Sequence, residues 1–245
     1  MSRVEARQLA IDTRLRLGLQ STEYLDAYRA LTSLGISCVK RPMDSSVSGA
    51  ALKTGRVKMI LVNSSKTLGH QNFTIAHEIY HCLYDENLLS RACKVEAFTR
   101  GSHSEQVADF FAAHLLMPED GIFNQLRLRG SLGARVDIAD VISLEQFFGV
   151  SRRAMCWRLE DLKLINREAS EAYRANVIRS ARLRGRPVAV YRPTNDTALI
   201  SDYAEKAREA LERGLVTESR YEEVLADAGL LEEVVGQVEE ADTVD

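Results

Sequence analysis

The residues most able to do chemistry sit in one run, Phe73-Thr74-Ile75-Ala76-His77-Glu78-Ile79-Tyr80-His81. Two histidines four apart on a helix share a face one turn apart, so both imidazoles can reach one metal ion. Glu78 is turned about 100° from His77 and can touch a water at that ion without joining its ligands, which is where a general base has to stand. Twenty-four residues after His81 comes Glu105, followed four later by Asp109. These two also share a helical face. A catalytic zinc keeps three protein ligands and one open position, and His77, His81 and Glu105 make up that number. Asp109 is then placed to accept the spare ring N–H of a ligand histidine, most simply His77, and so to fix its tautomer. The expected chemistry is metal-assisted hydrolysis. Zn2+ is the expected ion and Mn2+ the alternative, because availability in a cell can override affinity.

Two helices must position these groups. Helical periodicity runs over 72–86 and over 105–117, the second ending at Pro118, which cannot continue the hydrogen-bond ladder. The second helix reads FFAAHLLM after its two carboxylates, which marks it for the core. Carboxylates there are costly unless paired or bound to a metal. A metal-free polar network of the same residues is the competing reading. His114 lies about 180° around the helix from Glu105 and is expected to face away. His70, His103, Tyr80 and Tyr84 are all candidates to stabilise an oxyanion, and that role stays unassigned.

The first 34 residues read as two helices broken near Gly18–Ser21, with Ser21 or Thr22 capping the second. Ile36–Val39 and Val57–Val62 are short aliphatic runs bounded by turn residues, hence strands. A short helix follows over 121–129, then two or three short helices within 137–165 and a basic helix over 167–184. RGRPVAVYRP reads as extended, and two acidic helices, 197–213 and 217–240, precede a frayed end. These signals divide the chain into 1–136, 137–165 and 166–245. The expected fold class is α+β: a mostly helical domain with a small sheet, then a helix-turn-helix-like module and a helical C-terminal region.

With 245 residues, 45% apolar and 27% charged, the composition excludes collagen-like, disulfide-framework and wholly disordered classes. The longest aliphatic run is Met59–Val62, far short of the roughly 20 apolar residues of a membrane span. Charges interrupt the first residues every few positions, which leaves no signal-peptide apolar region, so a cytoplasmic protein without a membrane partner is expected. Four cysteines without metal-ligand spacing are expected as thiols. A net charge of −3 hides a division: 14 basic and 7 acidic residues over 127–192, then 4 and 15 over 193–245. A basic middle before an acidic tail suits either a nucleic-acid surface or ordinary solvated helices.

The order of a short strand (59–63), then NFTIAHEIYH, then ExxxD running into FAAxLLMP, resembles the ImmA/IrrE family of metallo-endopeptidases. The resemblance is carried by Phe73, Thr74, Ala76, His77, Glu78, His81, Glu105, Ala108, Asp109, Phe111, Ala112, Ala113, Leu115, Leu116, Met117 and Pro118, and covers about 20–165. Two departures are Tyr80, where the family often has Gly, and His70-Gln71-Asn72, where it often has arginines. The resemblance implies an endopeptidase that cuts one partner, often a helix-turn-helix repressor, and so derepresses genes of a stress response or mobile element.

The run 142–159 resembles a helix-turn-helix, with Gly149 at the turn and Ser151 capping the second helix. Arg152, Arg153 and Arg158 are candidates for phosphate contact through 141–160, against a purely structural packing role. The rival functions are a DNA-binding regulator with a structural metal and an antitoxin-like module whose acidic helices bind a partner.

Overall fold

The computed structural model describes residues 2–43, 46–55, 57–85, 90–93 and 103–230. The chain forms two compact units, Met1–Ile200 and Ser201–Asp245.

In the first unit, α1 (Arg3–Arg16) starts at a capping box in which the Ser2 hydroxyl and the Glu5 carboxylate each accept the other's backbone N–H. Helix α2 (Ala27–Ser33) is capped by Asp26, not by the expected Ser21 or Thr22; its carboxylate accepts from Tyr28 N and Arg29 N at 3.0 and 3.1 Å. Among the described residues the sheet has five strands in the order β4-β2-β3-β1-β5. Both expected strands are present, as β1 (Ser37–Arg41) and β3 (Val57–Asn63), paired in parallel. The sequence reading missed three others: β2 (Gly49–Thr54), β4 (Ser90–Cys93) and β5 (Ala198–Ile200), all joined antiparallel. β2 and β3 make a hairpin through Gly55, while β5 returns from far along the chain, a pairing that local pattern does not encode.

Helix α3 (Leu68–Tyr84) is buried over 13 of its 17 residues. That helix is enclosed nearly all round, because β2 and β3 cover one side and α4 (His103–Leu116) covers another, and its buried residues include the polar Gln71, Asn72, Thr74, His77, Glu78 and His81. Phe73, Ile75 and Ile79 from α3 join Phe111 and Leu115 from α4 in one core, each contributing roughly 1.5–3 kcal/mol by leaving water. Two buried arginines hold the carbonyl end of α4. Arg14 donates to Leu115 O at 2.7 Å and Arg158 to Met117 O at 3.1 Å, cations at the negative end of a helix. Pro118 then begins α5 (Glu119–Leu128).

The two helices of the predicted helix-turn-helix-like run are α6 (Ile138–Phe147) and α7 (Arg152–Asp161), with Gly149 at φ +63° between them and Ser151 accepting from Ala154 N. Their turn presses on the start of α3. A Cβ on Gly69 would sit 2.6 Å from Ser151 N, and Asn72 donates to Gly149 O at 2.7 Å. Arg152 and Arg158 are 2% and 1% exposed, so of the three candidate phosphate contacts only Arg153 faces solvent. Arg152 forms a two-pronged ion pair with buried Glu145, which also accepts from the Tyr191 hydroxyl.

The single basic helix expected over 167–184 is two, α8 (Arg167–Tyr173) and α9 (Val177–Arg182), broken where Asn176 takes φ +52°. Asn tolerates that left-handed conformation better than most residues. The stretch read as extended contains a 3-10 turn, Ala189–Tyr191. In the second unit, α10 (Tyr203–Glu212) begins later than expected because 198–200 are strand, and α11 (Glu218–Asp227) packs on it and buries Leu225. The expected continuation to 240 and the frayed end lie outside the described residues. Among the described residues no helix is long and apolar enough to cross a membrane.

Candidate metal centre

α3 and α4 bring the predicted residues together. His77 Nε2 lies 3.2 Å from Glu105 Oε2 and 3.2 Å from His81 Nε2, and His81 Nε2 lies 3.5 Å from Glu105 Oε1. One ligand atom from each residue falls within 4.8 Å of the others. The outer nitrogens are held separately: His77 Nδ1 donates to Asp109 Oδ1 at 2.9 Å, and His81 Nδ1 donates to Asp85 Oδ2 at 3.1 Å. A carboxylate can only accept, so both Nδ1 atoms carry the proton and both Nε2 lone pairs face inward. Two imidazole lone pairs and a carboxylate then converge in a space where acceptors alone repel. A divalent cation with N/O preference answers that donor set, so the residues fit such an ion.

Burial agrees. His77 is 1% and His81 0% exposed, while the Glu105 side chain is 22% exposed, which leaves the site reachable from the Glu105 side. Burial, with His77 next, holds His81 below the ordinary histidine pKa, favouring the neutral form that binds metal. Glu78 is fully buried between α3 and β2. Gly49 of β2 packs close beside it: a Cβ there would clash with Thr74 Cγ2 at 2.5 Å and Leu61 O at 2.8 Å and would touch Glu78 Oε1 at 3.4 Å.

Asp109, expected beside His77, lies there, whereas Asp85 and Gly49 were not singled out from the sequence. Asp85 follows His81 by four residues, the same spacing that singled out the other pairs, and it caps the end of α3, where Ser104 also donates to it at 3.1 Å. Gly49 carried no local signal, since its role arises from β2 crossing α3. The oxyanion candidates are dispersed. Tyr84 bonds Thr13 at 2.8 Å, His70 bonds Ser48 at 3.0 Å, and Tyr80 stacks edge-on against His81 at 5.4 Å. His114 accepts from Arg158 at 3.0 Å. Burial, then the cations Arg158 and Arg7, push His114 down to about 3.

Residues 31–160, more than half of the chain, match the family described as Peptidase_M78, IrrE N-terminal-like domain. That match supports a metallopeptidase-type function. No curated protein is similar enough to match.

Proposed function

Starting from the fact that this chain belongs to the M78 peptidase family, with its IrrE N-terminal-like domain at 31–160, we propose that it is a zinc-dependent endopeptidase. His77, His81 and Glu105 hold the ion, and Glu78 is the general base. The observation that carries this reading is the meeting of two inward Nε2 lone pairs and one carboxylate within 4.8 Å. When bound, the cation supplies Lewis acidity to the scissile carbonyl and to the attacking water. Glu78 receives that water's proton and delivers it to the leaving amine. Asp109 and Asp85 hold the two rings in the ligand tautomer, and the closed core around α3 keeps the geometry fixed.

The substrate we propose is a helix-turn-helix repressor in the cytoplasm, cut so that its genes are switched on in a stress or mobile-element response. This is the partner implied by the resemblance to ImmA/IrrE peptidases. Cys38, Cys82 and Cys156, buried as free thiols, suit a reducing compartment.

The test is incubation of zinc-loaded protein with purified helix-turn-helix repressors, followed by electrophoresis and mass analysis of fragments. Wild type should cut one bond. Glu78→Gln should keep its metal and fold yet cut about 10²–10⁴-fold more slowly. Equal cleavage by Glu78→Gln would overturn the role given to Glu78.

A further inference from the structure

The buried Arg152 and Arg158 leave the helix-turn-helix-like pair with little charge to offer a polyanion, but the segment that follows offers a great deal. Between 172 and 195 the chain carries six arginines, no lysine and no acidic residue. Arg174 is tied to Glu160 at 2.9 Å. The other five, Arg179, Arg182, Arg184, Arg186 and Arg192, are exposed, and among the described residues none of them forms an ion pair. Arginine's planar fork suits phosphate oxygens better than the point charge of lysine.

This segment is a fixed surface. Arg152 anchors it from beneath, donating to Tyr173 O at 2.8 Å, and Gln146 donates to Pro187 O at 2.8 Å. Tyr191 is bonded to buried Glu145, and Leu68 N donates to Arg192 O at 2.9 Å. The turn at Gly185, φ +64°, is closed by Arg186 N on Ala181 O at 3.0 Å. Its cations continue toward the first turn of α3, where Arg153 and Lys66 both act on His70. His77 lies seven residues past His70, about 10 Å along that helix, so the strip is separate from the metal centre.

We propose that this arginine strip is a docking surface for duplex DNA, gripping the phosphate backbone. The chain as a whole is slightly acidic, at −3, so attraction to DNA must come from this local patch. An acidic protein is the poorer fit. Leu183 and Ile178, 74% and 36% exposed, are the large apolar side chains exposed in the strip, too little for the apolar centre of a protein interface. If the proposed function also holds, such docking would concentrate the peptidase beside a DNA-bound repressor. The DNA inference itself does not depend on it.

The test is fluorescence anisotropy of a labelled duplex of about 24 base pairs with the full-length protein, from about 50 to 200 mM salt. Binding should weaken steeply with salt. The Arg182→Ser/Arg184→Ser/Arg186→Ser variant should bind at least about tenfold more weakly at low salt, with the log–log slope reduced by up to about 2.7, or roughly 0.9 per lost phosphate contact. Its melting temperature and metal content should match wild type, because the three side chains are exposed. No binding at low salt, or unchanged affinity and slope in the variant, would overturn the proposal. Capture of polyglutamate but not of duplex DNA through the same arginines would do so as well.

Discussion

Replacing Asp109 or Asp85 by alanine removes the acceptor that keeps one imidazole's Nε2 lone pair turned inward. Each carboxylate holds a different ring, Asp109 on His77 at 2.9 Å and Asp85 on His81 at 3.1 Å. Losing such an outer partner lowers metal affinity about 10–100-fold, or roughly 1.4–2.7 kcal/mol at 1.36 kcal/mol per tenfold. Asp109 is the more enclosed, with 10% of its side chain exposed against 14% for Asp85, and its bond is shorter. Asp109→Ala should therefore lie toward the larger end. Asp109→Asn keeps an oxygen to accept from Nδ1 and should fall between wild type and alanine. The double alanine variant should lose about 10²–10⁴-fold if the two rings are held independently. Competition for Zn2+ against a chelating dye gives each constant directly, without any cleavage assay. Affinity within twofold of wild type in both single alanine variants would refute the tautomer argument.

Arg152→Ala strands the buried Glu145 carboxylate and should destabilise by about 3–5 kcal/mol, whereas exposed Arg153→Ala should stay within about 0.5 kcal/mol; urea unfolding separates them, and equal effects would contradict the burial. Gly49→Ala forces a methyl onto Thr74 and the Leu61 carbonyl, the latter fixed in the paired strand, so a loss of about 1–3 kcal/mol is expected, again read from urea midpoints. Burial, followed by nearby cations, holds His70 at about 4 and His114 at about 3, well below the ordinary histidine value of 6.5. As pH falls through 6.5 toward 4, the unfolded chain takes up protons that the folded chain refuses, so stability present above pH 6.5 declines below it. In His114→Gln, which keeps an acceptor for Arg158, that decline should be shallower; an unchanged slope would refute the assignment.

The His77, His81 and Glu105 cluster was legible because its logic is local. His77 with His81, and Glu105 with Asp109, show their shared faces through a spacing of four, and both helices are present, although α3 starts at Leu68, four residues before the expected 72, and α4 at His103, two before the expected 105. Asp85 was legible by the same rule, yet it sits at the helix end, outside the motif that drew attention. What escaped depends on chain segments distant in sequence. Gly49 matters only because β2 crosses α3, and β5 pairs with β1 across more than 150 residues. Arg152 and Arg158 looked like surface cations on helical spacing alone. Their partners, Glu145 with Tyr191 for one and Met117 O with His114 for the other, come from two different helices, the residue just past the end of α4 and a 3-10 turn. Asn176 broke the basic helix through a left-handed backbone that its neighbours' helix propensity did not reveal.

Elemental analysis of the purified wild type and of His77→Ala, each after equilibration with zinc and removal of free ion, decides whether the three side chains hold a cation. Wild type should carry about one zinc per chain and His77→Ala should lose nearly all of it, with the fold retained by circular dichroism. Absence of bound zinc in wild type, or equal metal in both proteins, would contradict a cation held by His77, His81 and Glu105.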